Sequence, residues 1–218
     1  MKVDARKDRT LVVTAGPTRE KIDPVRFISN YSSGTLGYEI ARAGAKRGYK
    51  VVLISGPTAL TPPKGVRFIG VESATDMKSA VLKEFKKADC LIMAAAVSDW
   101  RVKDISKRKI KRSGTGTVLR LVENPDILKN VKKVKGKKVV AGFALETEDL
   151  RRNAVKKMAE KGMDFVVANK LDGIKTVFGP GRFDYTLLDK TGSVRLVKNV
   201  TKKEAAKIIL DKAFDGNL

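Results

Sequence analysis

The chain has 218 residues, 42% of them hydrophobic, which suits one α/β domain with a sizeable core and excludes a disordered chain. Its 46 basic and 24 acidic side chains give a formal charge of +22, and it contains one cysteine and no histidine. That composition excludes Ser-His and Cys-His catalysis, histidine-zinc sites, an intrachain disulfide and a tetrahedral structural metal site. Cys90 lies in the apolar run Cys90-Leu91-Ile92-Met93 and reads as a buried strand residue in a reducing, cytoplasmic setting. No apolar run approaches the roughly 20 residues of a membrane span, and the polar start MKVDARKDRT is not a signal peptide. The charge favours polyanionic partners, either nucleic acid or small phosphorylated substrates; a solvated lysine-rich surface is the alternative.

Residues 1–9 read as a polar lead-in. Thr10–Ala15 is a β-branched run suited to a buried strand. The next helix is expected over 35–47, with apolar Tyr38, Ile40, Ala41 and Ala45 and a closing Gly48. The connection over residues 14–37 is several times longer than the usual ~2–6 residues and shows no periodic pattern. Ile22, Val25, Phe27 and Ile28 are apolar anchors that argue for order, and therefore for function. Strands follow at 51–55 and 66–71; Pro62-Pro63 between them leaves little room for a helix. Ser73-Ala74-Thr75-Asp76 is a capping signal for a helix through Met77, Ala80, Val81 and Phe85. A strand at 91–96 leads into a basic loop, 97–116, which ends in Ser113-Gly114-Thr115-Gly116 and reads as mobile.

Residues 117–122 are strand-like, and Asn124-Pro125-Asp126 opens a short helix with proline in its first turn. A strand is expected at 138–144, a helix at 149–161 and a strand at 165–168. A β-hairpin follows, pairing 185–188 with 194–197. Thr201-Lys202-Lys203-Glu204 is a capping box for the final helix. Buried-type strands joined by helices imply a Rossmann-like doubly wound, mostly parallel sheet in three layers, α/β/α, with a C-terminal β-hairpin extension. In that architecture the strand at 91–96 returns beside Thr10–Ala15, and the loops after these two strands share the crevice where ligands bind.

Candidate chemistry concentrates there. Ser32-Ser33-Gly34-Thr35-Leu36-Gly37 offers backbone N–H donors at a helix start, a recipe for phosphate. No G-x-G-x-x-G follows the first strand, which disfavours NAD(P) binding by an oxidoreductase. Ala94, Ala95 and Ala96 allow a flat ligand close to the backbone, with Asp99 placed to accept hydrogen bonds; tight packing and a capping aspartate explain them equally simply. Lys109-Ile110-Lys111 reads as a lid bearing a charge-stabilising lysine, or as a solvated basic loop. Asn124 to Ile127 form a donor array or a plain cap. Phe143 stacks on a base or packs in the core, and Lys157 and Lys161, four apart, share one helix face.

Taken in order, TAGPTREKIDPVRFISNYSSGTLGY, ISGPTAL, AAAVSDWR, KIK, NPDIL, GFALET and the helix with Lys157 and Lys161 resemble the phosphopantothenate–cysteine ligase family over about residues 10–214. The resemblance implies a two-step ligation of 4′-phosphopantothenate and L-cysteine through an acyl-nucleotide, with CTP as co-substrate and Mg²⁺ accompanying it. It implies catalytic roles for Asn30 and Lys109, with Asn30, Ala95 and Asp99 contacting substrate. Nucleotide contacts fall on Ser32, Gly34, Gly37, Ala94, Ala95, Asp99, Lys109, Asn124, Pro125, Asp126, Ile127, Phe143, Lys157, Lys161 and Asn169. The chain departs from the family pattern at Pro17, Ser98 and Trp100. The implied partners are a second copy, meeting through the hairpin and the basic loop, and a flavin-dependent decarboxylase, fused or separate. No flavin, nucleic acid or membrane is expected for this chain. Residues 10–218 would form a single ligase domain, with 1–9 as a remnant of a link. The other readings are a basic nucleic-acid-binding domain and an NAD(P) oxidoreductase; no aromatic interleaves the densest basic run, 107–112, as nucleic-acid binding would favour.

Overall fold

Strand β1 (Thr10–Ala15) alternates its contacts across the sheet: Leu11, Val13 and Ala15 face one core, Val12 the other, all with no exposed surface. Such two-sided burial is the mark of a central parallel strand. The computed structural model describes residues 8–112, 114, 116–146, 148–170 and 181–216. After β1 come β2 (Arg19–Lys21), β3 (Phe27–Ser29), α1 (Thr35–Lys46), β4 (Lys50–Ser55), β5 (Val66–Gly70) and α2 (Ala74–Phe85). Then follow β6 (Cys90–Met93), β7 (Trp100–Val102), β8 (Leu121–Glu123), α3 (Ile127–Lys132), β9 (Val139–Glu146) and α4 (Leu150–Lys161). The last elements are β10 (Phe165–Lys170), β11 (Arg182–Asp189), β12 (Val194–Thr201) and the C-terminal helix α5 (Lys202–Asp215).

Among the described residues, eight strands form one sheet in the order β12-β11-β10-β9-β6-β1-β4-β5. The six strands from β10 to β5 are parallel, and β11 and β12 add the expected hairpin as an antiparallel edge. Helices α1 and α5 cover one face; α2, α3 and α4 cover the other. This is the three-layer, doubly wound architecture expected, with β6 beside β1 and no helix between β4 and β5. Both capping boxes form: Ser73 with Asp76 at α2, and Thr201 with Glu204 at α5.

Several expectations need correction. The strand expected at 91–96 is β6, ending at Met93, because the next amides turn to bond the loop after β1; Ala94–Ala96 lie beyond the sheet. The long connection is not without strands: β2 and β3 pair as a hairpin around residues 22–26. The strand-like stretch 117–122 contributes only β8, paired with β7 in a second two-stranded sheet. Pro125 precedes the cap of α3 instead of sitting in its first turn, since Asp126 is the N-cap. The lead-in falls mostly outside the described residues, as do Ser113 and Thr115 of the glycine-rich end and Thr147 of the GFALET stretch.

Candidate active site

The loops leaving β1 and β6 are stitched side by side. Thr14 Oγ1 accepts from the Ala95 N–H at 3.1 Å, and the Gly16 carbonyl accepts from the Ala96 N–H at 2.9 Å. The Ala96 carbonyl accepts from the Thr18 N–H at 3.3 Å, and Thr18 Oγ1 accepts from the Ser98 N–H at 3.0 Å. Thr14 and Thr18 are fully buried, so these bonds are shielded from water and hold one geometry. The amides of Ala95, Ala96 and Ser98 are therefore occupied, and what Ala95 offers a ligand is its methyl and carbonyl. Asn30, just past β3, lies over this floor and donates from Nδ2 to the Val97 carbonyl at 3.1 Å.

Beside the floor, α1 begins with Gly34 in the left-handed region (φ +75°) and with no side-chain cap hydrogen bond. Ser32 Oγ accepts from the Gly34 N–H at 3.2 Å and Ser33 Oγ from the Thr35 N–H at 3.5 Å, and the first turn carries no acidic residue, so no carboxylate offsets the positive end of the helix dipole. Gly37 is buried against β1: a Cβ there would meet Ala15 Cβ at 2.6 Å and the Thr14 carbonyl oxygen at 2.8 Å. Its place in the fold is close packing of helix on strand.

On the other side of the floor, an open cleft of about 530 Å³ gathers Ala95, Asp99, Asn124, Pro125, Asp126, Ile127, Phe143, Lys157 and Lys161, with Trp100 at its rim. Asn124 ties its walls together, its N–H donating to the Asp99 carbonyl at 2.7 Å and its Nδ2 to the Ser98 carbonyl at 2.9 Å. Asp126 caps α3 by accepting from the Lys129 N–H at 3.0 Å and pairs with Lys161. Burial pushes the Asp126 carboxyl up, but the bonds from Lys161 and Lys129 outweigh it and hold it below the usual carboxylate range. The expected donor array at residues 124–127 thus includes an ionised acceptor. Lys157, one turn before Lys161, lines the cleft with no acidic partner among the described residues. A larger cleft of about 680 Å³ lies where β4 and β5 end, but its charged lining is acidic, Glu72 and Asp76, and offers a phosphate no cation among the described residues.

Not every candidate joins the cleft. Ala94 packs against the core that faces α1. Asn169, on β10 opposite Leu145, buries its Oδ1 with no hydrogen-bond partner among the described residues. Lys109 is exposed and lies outside the cleft lining. Its segment is held at the tip of the β2–β3 hairpin, where Ile110 N–H donates to Asp23 Oδ2 at 3.1 Å and Arg26 Nη2 donates to the Ile110 carbonyl at 2.8 Å. The basic loop read as mobile is therefore docked over 106–110. Asp23 and Arg26 stand outside the candidate residues of the sequence. Their signal was Asp23-Pro24, a turn opener whose carboxylate accepts from the Val25 and Arg26 N–H groups at 2.8 and 2.9 Å. Arg26 holds the Asp23 carboxyl far below the usual range.

Residues 6–215 match the family described as DNA/pantothenate metabolism flavoprotein C-terminal domain. The coenzyme A biosynthesis bifunctional protein CoaBC of Bacillus subtilis (strain 168) is 41% identical over 203 residues, 93% of this chain and 50% of that protein. The chain spans about half the length of the curated relatives it matches. A crystal structure of the C-terminal domain of a CoaBC superposes with TM-score 0.82 at 40% identity, covering 96% of both chains. A Cab2 mutant in complex with phosphopantothenate-cysteine shares the fold, with TM-score 0.77 at 16% identity over 96% of this chain and 89% of its own. The chain belongs to the DNA/pantothenate metabolism flavoprotein C-terminal domain family, and within it matches the C-terminal domain of the coenzyme A biosynthesis bifunctional proteins.

Proposed function

We propose that the chain is a phosphopantothenate–cysteine ligase of coenzyme A biosynthesis. The observation that carries this reading is the convergence, at one edge of the sheet, of motif residues as far apart in sequence as Ala95 and Lys161 around a cleft that presents a lysine without an acidic partner among the described residues. A carboxylate oxygen of 4′-phosphopantothenate attacks the α-phosphorus of CTP, and the bond to pyrophosphate breaks. The cysteine amine then attacks the acyl carbon, loses a proton, and CMP leaves. No protein nucleophile is needed, so positioning and charge stabilisation suffice. Phe143 stacks on the base, Lys157 takes phosphate charge, Lys161 adds to it from its pair with Asp126, and the start of α1 with Ser32 and Gly34 takes a further phosphate. Asn30 holds the acyl-nucleotide, and Lys109 closes on it during the chemical steps. In this reading Mg²⁺ enters bound to the triphosphate.

Two copies associate in this reading. Val25, Phe27, Tyr31, Ile105 and Val118 are 46–94% exposed in and around the two small sheets, and Val194 and Leu196 of the C-terminal hairpin are 46% and 56% exposed; these are the contact surfaces of this reading. A decarboxylase, fused or separate, is the partner in this reading, supported by the match to half of relatives named as bifunctional, and a buried thiol suits the reducing cytoplasm. Incubation with phosphopantothenate, cysteine, Mg²⁺ and CTP, ATP or UTP in turn tests the proposal. Pyrophosphate release that depends on phosphopantothenate, and is fastest with CTP, is expected; no release with any triphosphate overturns it.

A further inference from the structure

The segment carrying Lys109 is gripped through its main chain. Both peptide groups of Ile110 are held, the N–H by Asp23 and the carbonyl by Arg26, and four residues earlier the Ser106 N–H donates to the Ile22 carbonyl at 3.0 Å. Asp23 is well fixed for this task. Its side chain is 0% exposed, Oδ1 accepts two backbone N–H groups, and Oδ2 also accepts from Arg26 Nε at 3.0 Å. The N–H that Asp23 holds belongs to the peptide joining Lys109 to Ile110, so the grip acts directly on the lysine's main chain. The hairpin that supplies the grip ends in Asn30, whose Nδ2 reaches the floor of the site at Val97. Lys109 sits at the tip of this unit and Asn30 at its base, four residues beyond Arg26 or about 13 Å along an extended strand.

We propose that Asp23 is a positioning residue that, with Arg26, fixes Lys109 relative to Asn30, so that one small hairpin carries both residues of the reaction. This rests on the ligase reading above. A docked segment loses less conformational freedom when the lysine engages than a free loop does, and charge-assisted bonds to a buried carboxylate make the socket strong. Because the grip is on the backbone, the side chain at position 110 is dispensable and its N–H is not.

The test compares Ile110→Ala, which keeps the N–H, with Ile110→Pro, which removes it, beside Asp23→Asn. Without substrates, trypsin should cut after Lys107, Arg108 and Lys111 at least tenfold faster in Ile110→Pro and Asp23→Asn than in the wild type or Ile110→Ala, with cutting elsewhere unchanged; the bond after Lys109 is left out of the comparison because proline at position 110 blocks it. In pyrophosphate release, the same two variants should lose at least tenfold in kcat at unchanged KM for CTP, with Ile110→Ala within twofold of wild type. Equal proteolysis and equal kcat for Ile110→Pro and Ile110→Ala would overturn the proposal. Faster cutting without a loss of kcat would also overturn it, since the socket would then be structural only. Should Asp23→Asn fail to fold, the Ile110 pair decides. Wild-type protein that releases no pyrophosphate with any triphosphate overturns the ligase reading and the positioning role with it, whereas failure of the socket alone leaves wild-type turnover intact.

Discussion

The two edges of the main sheet use the same residue types to opposite ends. At the edge where the parallel strands begin, carboxylates and lysines neutralise each other. Asp164 takes Lys135 and Lys190, each at 2.7 Å, and the Val140 N–H at 2.9 Å. Asp189 takes Lys212 at 2.6 Å, with side chains 7% and 10% exposed. At the edge where the strands end, neutral Thr14, Thr18 and Asn124 saturate the backbone instead, and Lys157 is left without an acidic partner among the described residues. A net charge of +22 does not distinguish these uses. The partner does: a lysine held by a buried carboxylate fastens strand ends, and one facing an open cleft awaits an anion.

Substitutions at the two edges should therefore separate rate from stability. Lys109→Ala is expected to lower pyrophosphate release about 10²–10³-fold with an unchanged thermal midpoint; an equal loss of stability would move Lys109 into the fastening class. Asp189→Asn does the reverse, losing about 3–5 kcal/mol in denaturant unfolding while kcat and KM stay at wild-type values.

The Asp189 carboxyl is pushed up by burial, but the bonds from Lys212, Thr191 and Ser193 bring it down to about 2 from an ordinary 3.8. A depressed folded-state value contributes stability above 3.8 that is lost as pH falls towards 2. Wild-type stability should thus drop in that window more steeply than that of Asp189→Asn, and parallel acid-unfolding curves for the two would contradict this assignment.

Smaller effects are expected within the site. Asn30→Ala should slow one half-reaction about tenfold or more, read by single-turnover formation and consumption of the acyl-nucleotide; normal rates for both would remove Asn30 from the chemistry. Lys157→Ala should raise KM for the triphosphate about tenfold, equivalent to about 1.4 kcal/mol, with kcat little changed. A matching rise for cysteine instead would place this lysine on the other substrate.

Much of the framework was legible because it is written in short-range patterns. The two-sided apolar runs of β1, β4 and β6 announce buried parallel strands, and both capping boxes close within four residues. The strands β2, β3, β7 and β8 are three residues each, too short to show a period. Their docking depends on residues such as Asp23 and Ile110, 87 positions apart. Asp126 looked like an ordinary helix opener; only the return of α4 brings Lys161 onto it from 35 positions away.

Local patterns along the chain set the order of elements, the two-faced core and the candidate residues, because periodicity, caps and turn chemistry act over a few positions. Tertiary structure alone decided which polar groups are committed and which stay available. The strand order brings the loops after β1 and β6 to one edge, and there Thr14 occupies the Ala95 amide, Asp126 pairs with Lys161, and Asp23 holds the segment bearing Lys109. A hydrogen bond or ion pair is settled by proximity in space, and that proximity exists only once the sheet has assembled.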